Sequence, residues 1–214
     1  MATRPLDATE REELCDLFLE LGPDAPTLCE GWTTLDLAAH LALREHDPRS
    51  GLWIIGGDRF AGMEAKHMAK AKAKGLDSLV ARLRKGPPLV PWRVPGLRTP
   101  LNLNEWFVHH EDVRRPNGRE PRAGAEVEAL EAELWSQLQR AGRLMTRGLK
   151  GTGLTVEAPG HGEKALRKGD PAVTLTGTPQ ELVLYLNGRR SAAQVTLTGD
   201  DPAITALTEA TLGI

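Results

Sequence analysis

Glu105 and His109 are the two residues of this sequence most able to do chemistry together. They lie in the stretch Asn104-Glu105-Trp106-Phe107-Val108-His109-His110-Glu111-Asp112. No Gly or Pro interrupts it, and Pro116 and Gly118 follow, so the stretch reads as a helix. Residues four apart on a helix stack on one face, about 40° apart around the axis. A carboxylate and an imidazole on one face supply two of the three ligands of an open divalent-metal site. The third has to come from another helix.

The chain has six His: 40, 46, 67, 109, 110 and 161. His40 shares a stripe with Leu37, Leu41 and Arg44, which turns it inward. His46 is about 240° further round the same helix, and His110 is about 100° from His109, so neither shares the face in question. His67 lies in a Lys-rich stretch, and His161 in the turn Gly160-His161-Gly162. Only His40 and His109 combine an inward face with a neighbouring carboxylate. Three N/O ligands suit Zn²⁺ and leave a position open, whereas closed structural sites use four ligands and often Cys. An open site can generate a nucleophile at neutral pH from a bound water or thiol. Asp36, four before His40, and Asp112, three after His109, are placed to accept a ring N–H and fix each tautomer. Other readings stay open on the residues alone. Glu105 is three after Asn102, the spacing of a capping-box acid, and an inward His often serves as a hydrogen-bonded core residue.

The elements that must position these groups are legible in outline. Thr9 and Glu12 form a capping-box pattern ahead of a helix with Leu14, Leu17, Phe18 and Leu21 on one face, stopped by Gly22-Pro23. Thr33 or Thr34 caps a second helix, which ends at Asp47-Pro48. Residues 51–62 are Gly-rich and irregular. Met63 to Lys74 is a basic helix read as a solvated surface, and Leu76, Leu79, Val80 and Leu83 form another apolar face. Five Pro between Gly86 and Pro100 predict an extended connector, and Asn102 is the expected cap of the helix that follows. A long helix is expected from about Ala123 to Leu149. Beyond Gly151 come β-like runs at 154–157, 165–168, 173–176 and 194–198. A helix starts at Thr178-Pro179-Gln180-Glu181, and another follows Asp201-Pro202. The expected fold class is mainly α with a small α+β part: a helical bundle over residues 1–150 and a small α+β domain over 151–214.

Composition removes several function classes. Charged residues are 26% and apolar residues 40% of 214, values of a globular chain. A net charge of −2 gives no reason to expect nucleic acid or an anionic membrane as partner. No run reaches the roughly 18 apolar residues of a membrane span, and the N-terminus is unlike a signal peptide, which predicts a cytoplasmic protein. Two Cys are too few for a disulfide framework; Cys15 reads as a buried thiol and Cys29 as a loop residue. Five of the nine aromatic residues are Trp, which predicts packing junctions or pocket walls.

At the same residues the sequence resembles a known family. Gly31-Trp32-Thr33-Thr34-Leu35-Asp36-Leu37-Ala38-Ala39-His40-Leu41 resembles the second-helix motif of the DinB-like superfamily, and Glu105 to Val113 resembles its third-helix motif. Within it, the sequence is most similar to the actinobacterial branch typified by mycothiol-dependent maleylpyruvate isomerase. Val173 to Leu182 and Leu184 to Arg190 resemble that branch's small, sterol-carrier-like C-terminal domain. The resemblance implies a DinB-like four-helix bundle holding one divalent metal, most often Zn²⁺, on His40, Glu105 and His109. It implies mycothiol as a thiol cosubstrate, and a C-terminal Arg acting at the metal pocket. Arg189 is the candidate catalytic residue, and Arg189 and Arg190 the candidate cofactor-binding pair, because a guanidinium pairs bidentately with a carboxylate. The function implied is a metal- and thiol-dependent transferase or isomerase acting on a small electrophile. The alternatives are a non-catalytic metal carrier or sensor, and a metal-free bundle. Fold does not fix the substrate.

Overall fold

The computed structural model describes residues 4–47, 61–86 and 98–213. The order of elements is α1 (Leu6–Leu21), α2 (Thr34–His46), α3 (Ala61–Lys72), α4 (Leu76–Arg84), α5 (Arg98–Arg114), α6 (Glu128–Met145), β1 (Gly153–Ala158), β2 (Gly162–Arg167), β3 (Ala172–Thr176), α7 (Pro179–Leu186), β4 (Thr196–Gly199) and α8 (Asp201–Glu209). Short 3₁₀ turns lie at Arg115–Asn117 and Ala125–Val127. The molecule is mainly α with a small α+β part. Most of the Gly-rich stretch, and residues 87–97 of the Pro-rich connector with Trp53 and Trp92, lie outside the described residues.

The chain forms two compact units, 1–121 and 122–214. The change from helices to strands comes near 150, as the sequence suggests. The compact division comes earlier, because α6 packs on α7 and β2. In the first unit α1 packs on α4 and α5, and α2 on α3 and α4. Leu14, Phe18, Leu37, Leu41, Leu83 and Trp106 are among its core residues with no exposed surface. Burying a Leu or Phe contributes roughly 1.5–3 kcal/mol each, so this core fixes the helix faces that carry the polar groups.

In the second unit the sheet order is β2-β1-β3-β4. β1 and β3 are parallel, with Leu154 opposite Val173 and Val156 opposite Leu175, while both edge pairs are antiparallel. The alternation of Leu154, Val156 and Ala158 buries one face of β1. Thr178 caps α7 by accepting from the Glu181 N–H, with Pro179 at the first helical position, as the sequence predicts.

Two cap assignments and one helix range need correction. Helix α1 begins at Leu6 behind Pro5, so Thr9 lies inside it and its hydroxyl donates to the Pro5 carbonyl (3.4 Å). Helix α5 begins at Arg98, so Asn102 is a second-turn residue and does not cap it. Pro100 sits in the first turn, where a missing N–H removes no intrahelical bond. The expected long helix is shorter at both ends, Glu128–Met145 after a 3₁₀ turn.

Candidate functional site

Helix α5 presents Glu105 and His109 on one face, as four-residue spacing requires. His109 Nε2 lies 3.3 Å from Glu105 Oε1. His40, from α2, brings its Nε2 to 3.6 Å from the same oxygen. The His40 and His109 rings meet edge to face with centroids 5.5 Å apart. One ligand atom from each of His40, Glu105 and His109 falls within 4.8 Å of the others. The three side chains predicted from sequence are therefore brought together. The cluster is not sealed: the His40 and Glu105 side chains are each 25% exposed.

Behind the cluster the groups are more deeply buried. Asp112, with no exposed surface, accepts from His109 Nδ1 at 2.8 Å. That leaves Nε2 directed at Glu105 and His40, the arrangement in which a carboxylate orients an imidazole toward a cation. Asp112 does what its spacing suggests; Asp36 does not. Asp36 closes the N-terminus of α2 instead, its Oδ2 accepting from the Thr33 N–H (3.1 Å) and hydroxyl (2.9 Å) while Oδ1 pairs with Lys72. Its carboxylate is committed to the cap, which excludes the expected role at the His40 ring.

Two further residues join the cluster that sequence reasoning did not place there. Arg44, one turn beyond His40, donates from Nε to Glu105 Oε1 at 3.1 Å. Cys29 donates its S–H to Asp112 Oδ2 at 3.3 Å. Its loop is held by the Leu28 N–H on the Asp112 carbonyl (2.9 Å) and by Asn117 on the Pro26 carbonyl (3.0 Å). The loop turns at Gly31, φ +74°, a region open to glycine at little cost. Trp32 then places its ring 5.3 Å from that of His40. The i+4 position of Arg44 was a usable signal. Nothing local marks Cys29, which lies 83 residues from Asp112.

The charges are strongly coupled. Burial alone would raise the Glu105 carboxyl, yet hydrogen bonds from His109 and His40 and the charges of His109 and Arg44 hold it well below the usual range. Burial alone would lower His109, but bonds to Asp112, Cys29 and Glu105 hold it well above the usual imidazole range. Without a cation, these surroundings favour the imidazolium form of His109 against two carboxylates. A divalent ion would take the place of that proton. The donor set of two imidazoles and a carboxylate, with an oriented ring and an open side, fits Zn²⁺.

Two other groups gather possible ligands among the described residues. Cys29, His109 and Asp112 do so on the other edge of the His109 ring. Glu10, Glu13 and His110 do so between α1 and α5, with His110 Nδ1 2.9 Å from Glu10 Oε2. His110 faces away from His109's partners, as expected. Arg189 and Arg190 lie in the second unit, after the turn at Gly188. Arg189 donates from Nη1 to the Asn187 carbonyl at 2.7 Å. Arg190 lies 5.7 Å from the Tyr185 ring centroid and donates to the Ala210 carbonyl.

No family model matches the sequence. No curated protein matches it either. Two solved structures are similar over the whole fold. One is the crystal structure of the mycothiol-dependent maleylpyruvate isomerase, at 20% identity, TM-score 0.59 and 92% of each chain covered. The other is a His-to-Ala variant of that isomerase, at 19% identity, TM-score 0.60 and the same coverage. The chain therefore has the fold of mycothiol-dependent maleylpyruvate isomerase, from its helical unit through its small sheet.

Proposed function

We propose that this chain binds a divalent metal, Zn²⁺ by its donor set, on His40, Glu105 and His109, and works as a mycothiol-dependent transferase or isomerase on a small electrophile. The observation that carries this is the convergence of two Nε2 atoms and one carboxylate oxygen at an open cluster, with Asp112 fixing the tautomer of His109. The similarity in fold to a mycothiol-dependent isomerase supports the choice of thiol. When bound, the cation supplies Lewis acidity that favours the thiolate form of a thiol reaching it. The chain's own groups do the rest. Asp112 holds the proton on His109 Nδ1, Arg44 anchors Glu105, and Trp32 flanks His40. The thiol loses its proton to solvent and its sulfur attacks an electrophilic carbon of the substrate; in a transfer that carbon's leaving group departs with its bonding pair, and in an isomerisation the C–S bond breaks again to release the thiol. Arg189, assisted by Arg190, recognises a carboxylate of the substrate through its guanidinium fork. The protein acts in the cytoplasm; among the described residues no helix is long and apolar enough to cross a membrane.

The test is a cobalt-substituted protein titrated with mycothiol. A new near-ultraviolet charge-transfer band is expected. A metal-loaded protein whose spectrum ignores the thiol would instead be a carrier or sensor. Arg189→Lys should leave metal content and Tm unchanged and weaken substrate binding by roughly 1–3 kcal/mol, read by calorimetry. Equal affinities would make Arg189 a surface charge.

A further inference from the structure

The second unit carries a concentration of positive charge that the proposed function does not use. Helix α6 and strand β2 approach closely where Gly142 meets Leu166. A Cβ on Gly142 would lie 2.7 Å from Leu166 Cδ2, so only glycine lets the strand come this near without the leucine shifting. Above that contact is a cleft of about 410 Å³. Arg140 and Arg143 line it from the helix, and Lys164, Arg167 and Lys168 from the strand and the residue after it. Five of the eight lining residues are cations and none is acidic. Leu166, 4% exposed, lies at the buried base.

Positive side chains this close repel one another unless something neutralises them. Arg140 pairs with Glu133 at 3.0 Å, but Arg140 is 57% exposed and Glu133 29%, so solvent screens the pair and it is weak. Among the described residues no carboxylate pairs with Arg143, Lys164, Arg167 or Lys168. The whole chain is net −2, so this charge stands out against an acidic remainder. A long polyanion such as a duplex would meet that remainder and be repelled. A compact anion would meet only the cleft. One carboxylate would leave most of the five cations unanswered, whereas two linked phosphoryl groups bring several charges and the oxygens that guanidinium forks match.

We propose that the α6–β2 cleft is a binding site for a small anion carrying two or more phosphoryl groups. It shares no residue with the His40–Glu105–His109 cluster. The phosphoryl groups could belong to inorganic pyrophosphate or to a nucleoside diphosphate, and the two are distinguished by titrating both.

The full-length protein is titrated by calorimetry and by amide chemical shifts, at about 50 mM and about 200 mM salt, the range over which phosphate contacts lose affinity. Pyrophosphate should bind saturably, with shifts concentrated at 140–143 and 164–168. Affinity should fall at the higher salt. Equal affinity for pyrophosphate and the nucleoside diphosphate would assign recognition to phosphates alone; tighter binding of the nucleotide would add a base or sugar contact. The double substitution Arg143→Gln with Lys164→Gln should weaken binding about tenfold or more, with Tm unchanged, since exposed substitutions typically move stability by under about 0.5 kcal/mol. Lys66→Gln with Lys70→Gln, on the exposed face of α3, should change nothing. No saturable binding, shifts spread over the surface, an equal loss in the α3 control, or tighter binding of duplex DNA would each overturn the proposal.

Discussion

His109 and His110 are consecutive on α5 and live in different surroundings. His109 faces an open cluster, where Glu105, Asp112 and Cys29 share it and a neighbouring His40 is a quarter exposed. His110 is turned about 100° away into the α1–α5 interface, where its Nδ1 meets Glu10 and both side chains are 4% exposed. Both are imidazole–carboxylate contacts. Under the proposed function, one would exchange a proton for a larger cation; the other joins two helices. Helical rotation by one residue is enough to separate the two uses.

The largest test of that contrast removes each ring. His109→Ala or His40→Ala should drop metal content far below stoichiometric, a loss well beyond about 100-fold in affinity, with the bundle retained by circular dichroism. His110→Ala should keep the metal. It should instead lower stability by about 1–3 kcal/mol in denaturant melts, because the buried Glu10 carboxylate loses one of its hydrogen-bond partners. If His110→Ala empties the site and His109→Ala does not, the two roles are inverted. Asp112→Asn should weaken metal binding by about 10–100-fold, since the amide still packs but no longer orients the ring as an anion does.

Proton counting sharpens the comparison further. His109 is held above the usual imidazole range, so in the metal-free protein its contribution to stability is full below about pH 6.5 and is lost as pH rises through the raised folded value. Glu105 is held low, so its contribution is present above about pH 4.5 and is lost as pH falls through the depressed folded value. Under the proposed function, zinc binding would displace the proton that this environment favours on His109. Calorimetry in buffers of different ionisation enthalpy should show proton release on zinc binding, unchanged in His110→Ala and smaller in Asp112→Asn. Release of no proton would mean His109 is already neutral. The smallest effect is expected from Cys29→Ser, a change in metal affinity within about threefold, because a hydroxyl can still donate to Asp112. A loss like that of His109→Ala would shift the site to the Cys29–His109–Asp112 edge of the ring.

Helix α5 shows what the sequence could and could not disclose. Glu105, His109 and Asp112 are related by helical spacing within one element, and all three stand as the periodicity implies. His40 was legible because Leu37 and Leu41, both without exposed surface, mark the inward side of α2. Asp36 has equally suggestive spacing, but the Thr33 amide and hydroxyl and the Lys72 ammonium hold its carboxylate instead. Asn102 was misread because Pro100, which suggests a connector, is compatible with a first helical turn. Cys29 was out of reach, because its position follows from a loop closing on a helix far along the chain. The boundary near 150 marks a real change in local pattern. Which elements α6 packs against depends on faces presented by α7 and β2, and no single segment encodes that.

Arg44 beside Glu105 has a consequence for how the protein is made. Glu105 already faces two imidazoles and a guanidinium, so its charge is answered by the chain itself. A nascent chain needs no ion to complete this region, unlike a zinc finger, which stays unfolded until loaded. Under the proposed function, folding and metal loading would then be separate events in its biogenesis. Under the proposed function, the ion acquired is decided after folding, by whichever cation the cell supplies in exchangeable form and the preformed cluster accepts.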